Sequence, residues 1–142
     1  MEYSRHKDTI FLRLDKEDPI IESITKLIVD ENIQAGYFNG LGATKQVVLR
    51  FLNQKTREFE EKEFTEYMEI ASLHGNITKF NGKPYIHAHI VLGTSNYGSY
   101  SGHLQEGIIG ATAEIIINCV DMDIDRQYDS ETNLNLLKFI PV

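Results

Sequence analysis

The sequence predicts an α+β domain, a mostly antiparallel β-sheet with one main helix flanking a face. Two observations carry this. One segment, opened by Asp18-Pro19, repeats apolar residues at helical spacing, whereas most of the remaining chain alternates apolar and polar residues in short runs. The runs are divided by turn-forming residues, and no linker, internal repeat or low-complexity tract interrupts them. At 142 residues the chain suits a single domain spanning 1–142. A chain of about 150 residues buries roughly 68–70% of its unfolded surface, so one core suffices.

Taken in order, Thr9 to Leu14 reads as a first strand. A helix over 18–32 follows, with Asp18 able to cap and Pro19 suited to the first helical position. Its Ile20, Ile21, Ile24, Leu27 and Ile28 fall on one face that packs on something flat. Gly36 lies just past its end. Strands are then expected over 46–52, 57–64, 67–80, 85–92, 108–120 and 134–140, with a turn at 53–56. Asn81-Gly82 is a strong hairpin signal because both residues tolerate positive φ.

Composition limits the functional classes. Fourteen Lys and Arg stand against 21 Asp and Glu, a formal net charge of -7, which opposes close approach to a phosphate backbone. The single cysteine, Cys119, lies in the apolar run Ile115 to Val120 and reads as a small core hydrophobe, a poor nucleophile. The N-terminus is polar and lacks the apolar core of a signal peptide, and no run of residues is long and apolar enough to span a membrane. The expectation is a soluble, cytoplasmic protein.

The stretch Tyr85-Ile86-His87-Ala88-His89-Ile90-Val91-Leu92 carries the clearest chemical signal. Its even positions are all apolar, so His87 and His89 share the face turned away from the core. Side chains at i and i+2 root about 6–7 Å apart on a strand, and two imidazoles at that spacing can lean onto one ion. The glycine-containing segment 93–102 can fold back and return His103 to the pair. Three imidazoles with an open position would suit a catalytic zinc ion. The plainer reading makes the histidines polar partners of Glu or Tyr on a half-exposed sheet face.

Glu114 interrupts the apolar run 108–117 and has two readings. It either orients a histidine, binds the ion or acts as a base, or it is a satisfied ion pair or an edge-facing residue. Other signals fail. Gly40-Leu41-Gly42 lacks the third glycine and following helix of a phosphate loop, and reads as a tight strand connection. Asp121, Asp123 and Asp125 open like a calcium loop, but Arg126 stands where that loop needs glycine. The glutamates between 58 and 69 read as a solvated, aggregation-blocking strand face. His6 and His74 have no companion at ligand spacing and read as structural or solvated.

Phe11 to Leu14, the 18–32 helix, Gly40-Leu41-Gly42, Met68-Glu69-Ile70-Ala71-Ser72-Leu73-His74-Gly75-Asn76-Ile77, His87-Ala88-His89, Gly102-His103-Leu104 and Ala113-Glu114-Ile115 occur here in an order that resembles the plant and prokaryote conserved domain. That family stands alone in bacteria and archaea and follows AT-hooks in plant nuclear proteins. The resemblance spans about residues 9–139. It implies an antiparallel sheet with a flanking helix, a homotrimer, and a divalent metal, zinc foremost, on His87, His89 and His103. Ser101-Gly102-His103 replaces the family's Gly-Gly-His, and the chain has no Arg-Gly-Arg-Pro AT-hook. Without that hook, direct DNA binding has no physical basis in so acidic a chain. Two functions follow as expectations. One is a trimeric binding and assembly module with a metal site, with any regulatory or DNA-associated role exerted through protein partners. The other is a small hydrolase-like metalloenzyme in which the ion on His87, His89 and His103 activates water and Glu114 serves as acid and base.

Overall fold

The computed structural model describes residues 1–139. It holds β1 (Glu2–His6), β2 (Thr9–Asp15), α1 (Ile20–Asp30), β3 (Ala35–Asn53), β4 (Glu58–Phe64), β5 (Met68–Phe80), β6 (Lys83–Gly93), β7 (Ser99–Val120), β8 (Ile124–Asp129) and β9 (Leu134–Phe139). The architecture is the expected α+β one, antiparallel throughout its named ladders, with a single helix among the described residues.

The main sheet runs β1-β2-β7-β6-β5-β3-β4, and a further β7–β3 pairing joins β3, β5, β6 and β7 into a closed ring. Closure protects strand edges that would otherwise template aggregation. Two exposed edges remain, β1 and β4, and β4 carries Glu58, Glu60, Glu61 and Glu63, in keeping with the anti-aggregation reading of that stretch. β8 and β9 form a separate hairpin, which β5 contacts.

α1 seals the core. Ile20, Ile24, Leu27 and Ile28 are all at most 1% exposed and join one apolar cluster with Leu12, Leu14, Leu73, Ile90, Leu92 and Ile109. Each such side chain contributes about 1.5–3 kcal/mol relative to exposure, and Leu27→Ala would cost about 2–5 kcal/mol. The helix begins one step later than its sequence signals suggest. Pro19 is the extended residue before it, and Asp18 does not cap. Asp18 instead accepts the Asp15 N–H at 2.9 Å and lies 2.8 Å from the Met1 ammonium, partners invisible to a local reading.

The strands are longer than the alternation indicates. The expected segment 46–52 is the second half of a 19-residue β3, and 108–120 belongs to a 22-residue β7. Glycines break the alternation where backbones approach closely. Gly40-Leu41-Gly42 lies inside β3 at a register shift, not in a connection between strands. A Cβ on Gly42, whose φ is +151°, would lie 2.3 Å from the Thr112 carbonyl oxygen. β1 and β8 carry no sequence expectation of their own, and Ile140, the end of the last expected strand, lies outside the described residues.

Candidate metal centre

Two ladders converge on the histidines. In the β5–β6 hairpin, Asn81 and Gly82 take φ values of 53° and 74° and form the turn, so Phe80 pairs with Lys83. That register sets His74 opposite His89 and Asn76 opposite His87. The segment 94–98 then turns the chain back, closed by the Thr94 N–H donating to the Gly98 carbonyl at 2.9 Å. His103 thereby pairs with His89 on the other side of β6.

Cross-strand partners emerge on the same face of a sheet. The row Phe11, Ile116, Asn39, His74, His89, His103, Arg50 and Glu61 therefore winds across the sheet on the face opposite the apolar cluster. Alternation fills the other face: Ala88 and Ile90 are 1% exposed, and Phe38 packs where a Cβ on Gly75 would stand, 2.5 Å from its ring.

His87, His89 and His103 each offer a ring nitrogen, and the three atoms lie within 4.8 Å of one another. Ring centroids are 5.1 Å apart for His87–His89, 5.1 Å for His87–His103 and 5.6 Å for His89–His103. No ring nitrogen of the three hydrogen-bonds to another described residue. Zinc bound at about 2.0–2.1 Å in tetrahedral geometry separates its nitrogen ligands by about 3.4 Å, so the three nitrogens, within 4.8 Å of one another, would close in slightly to hold it. The donor set fits a borderline-soft divalent cation.

Electrostatics favour neutral imidazoles, the form that ligates. Burial, then the neighbouring His87, His89 and Arg50 charges, push His103 down to about 4. Burial also lowers His87, reinforced by His89 and Arg126, and lowers His89, reinforced by His74.

The structure adds to the sequence reading at several points around the histidines. His74, read as isolated, has its ring centroid 6.2 Å from that of His89. Tyr37, His74, Gly75, Asn76, His87 and His89 line an open cavity of about 500 Å³ beside the histidines. Tyr97 is fully exposed and Tyr100 stacks on Phe64 at 4.2 Å, so neither lines that cavity. Glu114 is not brought to the three histidines within the chain. It is exposed on β7, opposite Arg13 and Leu41 and eleven residues along the strand from His103.

A residue that the sequence reading names only as the break in a calcium-loop pattern completes the surroundings. Arg126 of β8 is 8% exposed and lies over the Tyr85 ring, with Cζ 4.7 Å from the centroid. Its Nε donates to Thr78 Oγ1, Nη1 to the Asn135 carbonyl and Nη2 to Asn76 Oδ1, each at 2.8 Å. Arg126 stands in a run with no local pattern, which is why periodicity passes over it.

No curated protein sequence matches the chain. Among solved structures, a Bacteroides thetaiotaomicron protein provisionally named as DNA-binding is 31% identical, with TM-score 0.95 over 97% of this chain and 96% of that one. A protein of Archaeoglobus fulgidus described as metal-containing is 28% identical, with TM-score 0.85 over 97% and 96%. A plant- and prokaryote-conserved protein of Pyrococcus horikoshii is 25% identical, with TM-score 0.85 over 99% and 96%. The profile of the Plants and Prokaryotes Conserved (PCC) domain matches residues 1–121, which leaves the β8–β9 hairpin outside the match. The fold, the order of the motifs and this match together establish that the chain belongs to the Plants and Prokaryotes Conserved domain family.

Proposed function

We propose that the protein is a homo-oligomeric binding and assembly module, trimeric as the family resemblance implies, holding one divalent cation, zinc, on His87, His89 and His103. The observation that carries the metal assignment is the approach of three imidazole nitrogens to within 4.8 Å with no hydrogen bond to other described residues. Converging imidazole nitrogens without protein partners, on two half-buried rings and the exposed His89, are free to take an ion. The metal-containing description of the Archaeoglobus relative points the same way. Such an ion would tie β6 to the start of β7 and leave one coordination position open towards the cavity.

The assembly reading draws on the uncovered face. Phe11, Tyr37 and Leu41 are 60%, 52% and 57% exposed, and they sit on the same side of the sheet as the histidines. The charge of -7 argues for a protein surface as partner, in preference to nucleic acid. Any regulatory or DNA-associated role would therefore run through protein partners.

The hydrolase-like alternative requires a base near the ion. Glu114 serves that role only if self-association brings it from a second copy, because its position on β7 keeps it from the histidines of its own chain.

The deciding experiment measures metal content by elemental mass spectrometry, with solution mass in parallel, for the untagged protein and a His87→Ala/His89→Ala variant. About one zinc per chain, lost in the variant, together with a trimer mass, is the expected result. Metal-free protein after zinc addition overturns the metal assignment, and a monomer at micromolar concentration overturns the assembly one.

A further inference from the structure

Arg126 presents a charge problem. Its three hydrogen bonds go to a hydroxyl, a carbonyl and an amide oxygen, all neutral, and no carboxylate among the described residues lies within 4.0 Å of its guanidinium. The adjacent Asp125 accepts the Arg126 backbone N–H instead. A buried cation without a counter-charge is costly, and one retained in a fold calls for an anion.

Its placement shows where that anion would sit. Asn76, which accepts from Arg126, pairs with His87 in the β5–β6 ladder and lines the cavity shared with His74 and His89. A guanidinium only donates, so it settles the orientation of the Asn76 amide: Oδ1 towards Arg126 and Nδ2 away from it. That Nδ2 group donates to no described residue, which leaves an oriented N–H donor next to His87. The cavity lining contains histidine, asparagine, tyrosine and glycine, and no acidic residue. A dication held by three neutral imidazoles, together with Arg126, would give the site about three positive charges, with no acidic residue in the cavity lining to oppose them.

We infer that the cavity beside His87 and His89 receives a small carboxylate, with Asn76 donating to one of its oxygens and Arg126 acting as the positioning residue that orients Asn76 and supplies charge. This deepens the metal reading and rests on it. It also assigns a role to the C-terminal hairpin, which lies beyond the family match at residues 1–121. Relatives lacking an equivalent hairpin would keep the histidines and lose the preference for anions.

The test is a calorimetric titration of the zinc-loaded full chain with acetate and with its neutral isostere acetamide, preceded by zinc analysis of the same samples. Two variants accompany it. Asn76→Asp keeps a partner for Arg126, so the hairpin stays docked, but removes the N–H donor and neutralises the charge. Arg126→Gln removes the charge and retains hydrogen-bonding capacity towards Thr78 and Asn76. Acetate should bind and acetamide should not. Each variant should weaken acetate at least tenfold with zinc content unchanged, and Asn76→Asp alone decides the matter if Arg126→Gln fails to fold. Zinc-loaded protein that takes up no acetate, binds acetamide equally, or binds acetate unchanged in Asn76→Asp overturns the carboxylate site and leaves the metal assignment standing. Protein that holds no zinc overturns both.

Discussion

His89 and His103 are direct cross-strand partners in the β6–β7 ladder, their rings 5.6 Å apart and nearly perpendicular at 87°. The pairing joins a residue of the His-x-His strand to one fourteen positions later through a short turn. Its consequence is that a ligand on β7 cannot be removed without opening the trio.

His103→Ala should therefore lower zinc affinity at least about 100-fold, since loss of an outer-sphere partner alone costs about 10–100-fold. Competition with a chromogenic chelator measures it. Affinity within threefold of the parent protein would remove His103 from the ligand set.

The metal-free protein should lose stability as pH falls from 7 to 5. His103 takes up its proton near pH 4 in the fold and near 6.5 when unfolded, and His87 and His89 shift in the same direction. Between those values the unfolded chain binds more protons, so stability is fully present above about 6.5 and declines below it. Thermal melts across this window, which lies above the range where Asp15, Asp18 and Glu31 protonate, should show a falling Tm, and His103→Gln should flatten the slope.

Gly42→Ala should destabilise by more than about 3 kcal/mol, because the new methyl group would meet the Thr112 carbonyl oxygen at 2.3 Å in a conformation that side chains rarely adopt. Gly82→Ala is the control. It has positive φ but open space around it, and should cost about 1–2 kcal/mol. Urea denaturation of both variants compares them, and equal losses would refute the steric account.

Thr44→Val should stabilise by about 1–2 kcal/mol. Thr44 is 0% exposed and its hydroxyl has no hydrogen-bond partner among the described residues, so an isosteric methyl removes a desolvated polar group without opening a cavity. A lowered midpoint in the same denaturation assay would reveal a partner for that hydroxyl.

Duplex DNA should bind more weakly than the ~10⁻⁴–10⁻⁶ M of ordinary nonspecific complexes at physiological salt. Fluorescence anisotropy tests this against the provisional DNA-binding name of the Bacteroides relative. Tighter binding with a steep dependence on salt would show that the fourteen basic residues gather into a patch after all.

Some of what the sequence reading passed over was within reach. A two-residue turn at Asn81-Gly82 pairs positions whose numbers sum to 163, which puts His74 opposite His89 and Asn76 opposite His87. Applying that hairpin arithmetic to the strands would have found His74's companion and the polar partner of His87. By contrast, Glu114 had a functional and an edge-facing reading, the first because a carboxylate in an apolar run implies burial. It is exposed, because alternation turns it outward while Ala113 and Ile115 face the core.

The sequence by itself determined the fold class, the helix face, the hairpin turn at Asn81-Gly82 and the shared face of His87 and His89, since all of these follow from local periodicity and turn chemistry. Only the tertiary structure decided that β7 runs back far enough to put His103 against His89, that β3 and β7 close a ring, and that Arg126 comes to rest behind Asn76. These arrangements join residues from fourteen to 85 positions apart. They depend on strand length, bulges and docking of the last hairpin, for which side-chain alternation along one strand carries no signal.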